Sequence, residues 1–594
     1  MQLQLDQLWT YSEWLVSHNA WLRGTLLAIT LSLLGLIVSY AVALVQYGPG
    51  EGFYAVARVI RDLFRFDIPG TRLSRMIAIA KLAFMEAIRR KILVGFGIFI
   101  VLLMFAGWFL DRRAENPAQL YTSFVLAATN FLILLLGLFI STFSLPNDIK
   151  SKTIYTIATK PVRPTEMILG RILGFSLIGS LMLAVLGVIG YVFVVRGLQH
   201  EHEVATVAQD SSQGNTDEVA FHQHRFRLDA EGKGVTDEVK GHQHTVTAEE
   251  VDGRLVYRVS PPIGQLAARV PLYGTLSYYD RQGNIGPGLN VGYMSEYRKF
   301  IAGGTLSSAN WQFEKVQAKD FPEGLILEMD IEAFRTVKAD IVTPVRGSII
   351  LRSPDQSVES ERIFFLVKES LDRKIIPLQV KGFRNNQPAM LELFQDLIVD
   401  GRLEVIIRCE DSQQYFGMSP ADLTLRAGDR SFAWNFFKGF ISIWLQMVIV
   451  IAFGVMFSTF LSGPVAMVAT LSALGLGFFG SNVDYFFESE YSGGGPLESI
   501  VRIGTQKGVM IDLDLGNESL ERVIKNIDYG IMFMIFNLKN ALPDFGRLST
   551  SEFVAYGVNI FDDLMWRHAT ITLGYCLMAC FIGYFFLKTR EMAA

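Results

Sequence analysis

The chain has 594 residues, of which 50% are hydrophobic and only 19% charged, with a formal net charge of -4. With a mean hydropathy of +0.30, this composition points to a membrane protein with sizeable aqueous parts. It offers no basic excess for nucleic acid, and three cysteines are too few for a disulfide framework.

A bilayer core of about 30 Å takes roughly 20 apolar residues in a helix. Uncharged runs of that length lie at 26–45, 92–110, 120–145 and 172–195. A longer run, 439–483, carries Ser462-Gly463-Pro464 near its middle and reads as a helical hairpin. The last run is 569–587, which makes seven expected spans. The first twenty residues lack the pattern of a cleavable signal.

Lysine and arginine set the orientation, because basic loops stay cytoplasmic. Arg58, Arg61, Arg65, Arg72, Arg75, Lys81, Arg89, Arg90 and Lys91 follow the first run. Lys150, Lys152, Lys160, Arg163 and Arg171 follow the third, and Lys588 and Arg590 follow the last. All fall on one side if the N-terminus is outside and the C-terminus cytoplasmic, as in a multi-pass protein of a cell inner membrane. Arg112 and Arg113 in a short outer loop run against the rule, balanced by Asp111 and Glu115.

The expected division is therefore 1–52 with an extra N-terminal span, 53–91 as cytoplasmic amphipathic or interfacial helices, and 92–196 as three core spans. A β-rich extracytoplasmic insert at 197–430, a membrane hairpin at 431–488, an outer loop domain at 489–567 and a last span with its tail at 568–594 complete it. In 53–66, Val56, Val59, Ile60 and Leu63 share a face opposite Arg58, Arg61 and Arg65, which suits either a helix lying on anionic lipid or an ordinary juxtamembrane helix without a special role. The insert shows alternating runs such as SIILR and LEVIIRC, broken by turn signals such as DRQGN, as in a β-sandwich. In 489–567 a Gly-rich start precedes mixed strand and helix, and YGIMFMIFNL at 529–538 is too short to span.

No phosphate loop, no G-x-S-x-G and no H-E-x-x-H occurs in the sequence. An enzyme is not expected, and any work the chain performs draws energy from elsewhere. Within the spans Asn130 and Gln446 are the strongly polar groups, and they serve either a path or helix-to-helix hydrogen bonding.

The segment 145–174 reads LPNDIKSKTIYTIATKPVRPTEMILGRILG. Lys160-Pro161-Val162-Arg163-Pro164 breaks it, Thr165 caps a helix beginning at Glu166, and Gly170 and Gly174 permit close helix contact. Two readings of the residues stand: a stiff cytoplasmic knob, or a solvated loop that only satisfies the charge rule. The segment resembles ABC-2 type permeases, the membrane subunits of ATP-binding-cassette transporters. The likeness rests on Asp148, Lys152, Thr153, Ile154, Pro161, Val162, Arg163, Gly170 and Arg171, and on the entry helix at 76–92. It departs in the extra first span, the large insert, and Lys-Thr in place of Gly-Thr.

The resemblance implies a six-span core behind the extra span, paired with a second permease subunit, the same or different. A separate cassette-type ATPase subunit binds the ATP and docks on a coupling helix within 146–168. The residues implied in that docking are Asp148, Lys150, Lys152, Thr153, Ile154, Tyr155, Lys160, Pro161 and Arg163. The implied function is a permease, expected to export, lodged in a bacterial inner membrane. The rivals are a membrane-anchored extracytoplasmic binding or scaffold protein, and an ATP-driven relay that moves no substrate.

Six of the 8 histidines form three H-x-H doublets: His200/His202, His222/His224 and His242/His244. The last two sit in a repeat, TDEVAFHQHRFRLDAEG and TDEVKGHQHTVTAEEVDG, offset by twenty residues. In a strand, residues two apart share a side, so two doublets could offer four imidazoles to zinc, nickel or copper. The competing reading is a β-repeat whose solvated face happens to carry histidine. Asp229, Glu231 and Asp237 do not have the spacing of a calcium loop. The insert 197–430 is also where an outer partner would dock.

Overall fold

The computed structural model describes residues 9–89, 92–105, 110–111, 113–152, 162–208, 212–251, 254–291, 298–335, 344–367, 371–385, 387–480, 495–506, 508 and 518–589. The chain falls into two compact units. One comprises 266–435 with 556–559, and the other comprises 9–265, 436–555 and 560–594.

The second unit is mainly helical. Its elements before the β structure are α1 (Ala20–Tyr47), α2 (Pro49–Asp62), α3 (Leu73–Arg89), α4 (Ile92–Phe105), α5 (Pro117–Lys150) and α6 (Pro164–Leu198). Later come α7 (Phe432–Ser458), α8 (Gly463–Phe478), α9 (Pro496–Thr505), α10 (Glu518–Ala541) and α11 (Asp562–Thr589). Among the described residues, five helices are long and apolar enough to cross a membrane: Ala20–Val45, Pro117–Lys150, Pro164–Leu198, Phe432–Ser458 and Asp562–Lys588. One expected span appears as a shorter apolar helix, α8, and for another the described residues show the apolar helix α4 over Ile92–Phe105. The break between α7 and α8 lies at Ser462-Gly463-Pro464, where proline cannot extend a preceding helix but sits well in a first turn.

Local chemistry sets the helix ends. The Asn116 side chain accepts from the Gln119 N–H at 3.1 Å, with Pro117 in the first turn of α5. At the start of α6 the cap is Arg163 rather than Thr165. Pro164 occupies the first turn, and the Glu166 carboxylate reaches back to accept from the Arg163 N–H at 3.0 Å. Thr165 instead shares a hydrogen bond with Thr71 at 2.8 Å.

Between 489 and 567 the described residues are helical rather than mixed, apart from a single bridge at Val558. YGIMFMIFNL lies within α10 and leaves Tyr529, Phe533 and Met534 exposed. Asn130 Nδ2 donates to Gln446 Oε1 at 3.4 Å, joining α5 to α7.

After α6 comes a six-stranded antiparallel meander in sequence order: β1 (Val204–Val207), β2 (Gln213–Thr216), β3 (Arg225–Leu228), β4 (Lys233–Thr236), β5 (Thr245–Val251) and β6 (Arg254–Val259). Its apolar core is small, built on Phe226, Leu228 and Val246. The edges β1 and β6 approach one another, so the sheet curls towards closure.

The first unit is β-rich. In its largest sheet Arg346–Arg352 pairs with Leu403–Cys409, which pairs with Ser308–Phe313, all antiparallel. The register sets Ile349 beside Ile407 and Trp311 beside Val405, and these join Phe313, Leu351 and Phe416 in one continuous core. Such alternation of inward and outward side chains is what a half-buried strand requires.

Candidate metal centre

Each histidine doublet precedes the first strand of a hairpin: 200/202 before β1, 222/224 before β3 and 242/244 before β5. The doublets lie in the approaches to the strands rather than within them. Two are delivered by tight turns. Val219 and His222 exchange main-chain hydrogen bonds at 3.0 and 3.1 Å, and Val239 and His242 do so at 3.0 and 3.2 Å. The central residues of these turns are left-handed: Ala220 (φ 50°) with Phe221 (φ 62°), and Lys240 (φ 50°) with Gly241 (φ 76°). Ala220 and Phe221 are costly there, on the order of 1–2 kcal/mol each. The turn is kept by the surrounding hydrogen bonds, since the His224 N–H donates to Thr216 Oγ1 at 2.9 Å and the His244 N–H to Thr236 Oγ1 at 2.9 Å.

All six imidazoles converge. His202, His222, His224, His242 and His244 are buried, and His200 is partly so. Nε2 of His242 lies 3.0 Å from that of His200, 3.0 Å from that of His222 and 3.3 Å from that of His224. Nε2 of His202 lies 3.3 Å from that of His222. Two overlapping sets of four could each hold a metal ion, with ligand atoms all within 4.8 Å of one another: His200, His202, His222 and His242, and His202, His224, His242 and His244. Four ligands were expected from two doublets; the fold brings all three doublets to one point.

The other ring nitrogen of every histidine meets a main-chain carbonyl. Nδ1 of His200 faces Leu198 O at 2.9 Å, that of His222 faces Ala220 O at 3.2 Å and that of His242 faces Lys240 O at 3.5 Å. Nδ1 of His202 faces Asp217 O at 3.0 Å, that of His224 faces Asp237 O at 2.9 Å and that of His244 faces Ser260 O at 2.7 Å. A carbonyl only accepts, so each Nδ1 carries the proton and each Nε2 presents a lone pair. The short Nε2 to Nε2 approaches therefore set acceptor against acceptor. A cation resolves that conflict, and carbonyl partners that fix tautomer and ring direction are the usual support of metal-binding histidine. The Asp217 and Asp237 carboxylates add charge behind two of the rings, at 3.2 Å from His202 and 3.6 Å from His224.

Burial lowers the proton affinity of five of these imidazoles. His222 and His244 are each pushed down to about 4, first by desolvation and further by neighbouring imidazoles, against the raising effect of the Ala220 and Ser260 carbonyls. His200, His224 and His242 shift in the same direction, with desolvation the largest cause. Neutral rings at ordinary pH are what a metal requires. The acids weighed for calcium do other work: Asp229 Oδ1 accepts from the Glu231 and Lys233 N–H groups at 2.9 Å, and Asp237 Oδ1 accepts from the Arg225 N–H at 2.7 Å.

The segment named for ATPase docking lies at the opposite end of α6. Asp148 and Lys150 close α5, and Lys152 follows, exposed, with φ 59°. Arg163 caps α6, whereas Thr153, Ile154, Tyr155, Lys160 and Pro161 fall outside the described residues. The ends of the segment are braced by charge. Asp148 and Ser144 bond to the buried Arg171, and Glu86 of α3 accepts from Ser144 Oγ at 2.9 Å. Glu166, fully buried, pairs with Arg75 at 2.9 Å and accepts from the Arg72 N–H at 2.7 Å. Asp67 pairs with Arg163 at 3.3 Å and Lys588 at 3.0 Å, and accepts from Tyr584 at 2.7 Å. Those partners hold the Asp67 carboxyl below its usual range despite its burial.

No known family model matches the chain, and no curated protein matches it.

Proposed function

We propose that this chain is the membrane subunit of an ATP-energised transport complex and that the module following α6 holds a transition-metal ion. The metal half rests on one observation: six imidazoles turn unprotonated Nε2 atoms on one another at the module's end. Zinc, nickel and copper all accept imidazole ligands. Titration of the purified full-length protein with Zn2+ or Ni2+ tests it, beside a His202→Ala/His242→Ala variant, since those two residues belong to both sets of four. Micromolar or tighter binding that the variant loses supports the reading. Absence of binding, or equal binding by both proteins, overturns it.

The transport half rests on the resemblance of 145–174 to ABC-2 permeases, and the bracing of that segment supports it. A prong that receives a push needs a stiff base, and here Arg171, Glu166 and Asp67 tie its two ends to α3 and α11. On this reading a cassette-type ATPase docks on 147–163, two membrane subunits pair, and seven segments span a bacterial inner membrane with the N-terminus outside. The direction is export, and the insert 197–430 meets substrate or an outer partner. Because α6 runs unbroken from the braced segment to the histidines, a relay that works on an outer partner without passing substrate is the second reading. Replacing Ile154 and Tyr155 by Asp tests both: loss of a co-purifying ATPase, or of its stimulated turnover, is expected. Unchanged assembly and turnover would defeat the assignment.

A further inference from the structure

The relations among the six rings say more than that a metal fits. Six rings form fifteen pairs, and twelve of these have centroids 4.8–5.4 Å apart at interplanar angles of 72–88°. The three pairs left over are His200/His224, His202/His242 and His222/His244. An octahedron has twelve edges and three diagonals, and each of its vertices belongs to one diagonal. Every histidine here belongs to one of the three leftover pairs.

The arrangement also carries an approximate three-fold repeat. Advancing from one doublet to the next turns each leftover pair into the following one. The first histidine of each doublet bonds the carbonyl two residues before it, at Leu198, Ala220 and Lys240. The second bonds a carbonyl beyond the following hairpin strand, at Asp217, Asp237 and Ser260. The six nitrogens thus form two triangles, one from each position of the doublet. Four of the twelve edges measure 3.0–3.3 Å between Nε2 atoms, and an octahedron of that edge has its centre about 2.1–2.3 Å from its vertices, within reach of a metal–imidazole bond.

We infer that the site takes one divalent first-row ion in octahedral coordination by all six histidines, and that this ion is a structural fastening. The inference rests on the metal reading above and adds the ligand number and the role. Six protein ligands leave no open position for water or substrate, which separates the site from catalytic metal centres. They favour ions content with six nitrogens, such as Ni2+ or Fe2+, over Zn2+, whose structural sites are almost always four-coordinate.

The surroundings suit a fastening. The module's apolar core is small, so metal binding and folding are linked. The ion's shell begins two residues after α6 ends at Leu198, and Leu198 itself supplies the carbonyl to His200. On another side of the cluster, the Arg113 guanidinium lies over the Phe221 ring at 4.8 Å, inside the turn that delivers His222. An ion at the centre would hold three hairpins, the end of α6 and the approach to α5 together.

Co2+ added to the metal-free full-length protein is the test, because its visible bands are weak in six-coordinate sites and intense in tetrahedral ones. Weak bands at one equivalent are expected, with metal-dependent protection of 200–265 from proteolysis. His200→Ala and His244→Ala should each weaken Ni2+ binding at least tenfold, because each removes a ligand. In either four-ligand arrangement one of these two would be a bystander. Intense tetrahedral bands, or one of the two variants binding as wild type, would overturn the octahedral assignment while leaving a metal site in place. Unaltered proteolysis on loading would overturn the structural role. No Co2+ uptake at all would remove the metal reading itself.

Discussion

His222 and His242 face each other Nε2 to Nε2 at 3.0 Å, twenty residues apart in sequence, while their other ring nitrogens are turned to the Ala220 and Lys240 carbonyls. Neither inner nitrogen has a proton to offer, so the pair is repulsive without a cation between them. That conflict recurs between His242 and His200, His242 and His224, and His202 and His222, and on the proposed reading it ties the module's stability to metal.

Loading should therefore raise thermal stability. An ion that binds only the folded module adds about 2.7 kcal/mol at a free concentration one hundred times its dissociation constant. Thermal unfolding of the full-length protein, followed by protease sensitivity within 200–265, should shift upwards with Ni2+ and return after chelation. The His202→Ala/His242→Ala variant should show no such shift.

Acid should undo the site. His222 and His244 bind protons less readily folded, at about 4, than unfolded, near 6.5. The unfolded chain thus takes up more protons in that window, so stability falls as pH drops from about 6.5 towards 4. The facing groups are the other imidazoles, Asp217, Asp237 and Lys240; Asp237 opposes the downward shift at His224 and Lys240 supports it at His200. Bound metal, measured after dialysis at stepped pH, should be retained above 6.5 and released towards 4.

At the other end of α6, Gly174 allows α3 to approach closely. A Cβ at that position would stand 2.4 Å from the Ala80 carbonyl oxygen and 2.9 Å from the Ala83 Cβ. Gly174→Val should destabilise the helix pair by about 1–3 kcal/mol, the usual cost of overpacking. A drop in the unfolding midpoint of the detergent-solubilised protein checks it, and Gly35→Val, where a Cβ meets nothing within 4 Å, is the control.

Glu166 is fully buried and answers Arg75 together with two main-chain N–H groups. Glu166→Ala takes the acceptor from the two main-chain N–H groups and the carboxylate from Arg75, which keeps its bond to the Gly70 carbonyl at 2.9 Å, at a cost of about 1–3 kcal/mol. Glu166→Gln, which keeps the shape, should cost less. Expression level and unfolding midpoint of the two variants should rank in that order.

Much of the helical framework could be read from the sequence, because an apolar run of twenty residues has few other uses. The expected run 439–483 corresponds to the long α7 and the shorter α8, divided at Ser462-Gly463-Pro464 where proline suits a first turn and not a helix interior, and the run 92–110 is described as helix over Ile92–Phe105. The histidines were legible as doublets but not as a single centre. What joins them is two turns with left-handed residues, one of them at Ala220-Phe221, where composition gives no turn signal. Their carbonyl partners belong to the backbone and leave no mark on residue identity. The bracing of 145–174 was equally hidden, because Asp67 meets Lys588 from the far end of the chain. Gly170 and Gly174, by contrast, announced a close contact that Ile79 and Ala80 supply.

The most direct test is elemental analysis of the full-length protein purified in mild detergent without chelator. One first-row transition metal per chain is predicted, absent from the variant lacking His202 and His242. A protein that emerges metal-free from metal-replete cells and stays so after incubation with Ni2+ would contradict the account.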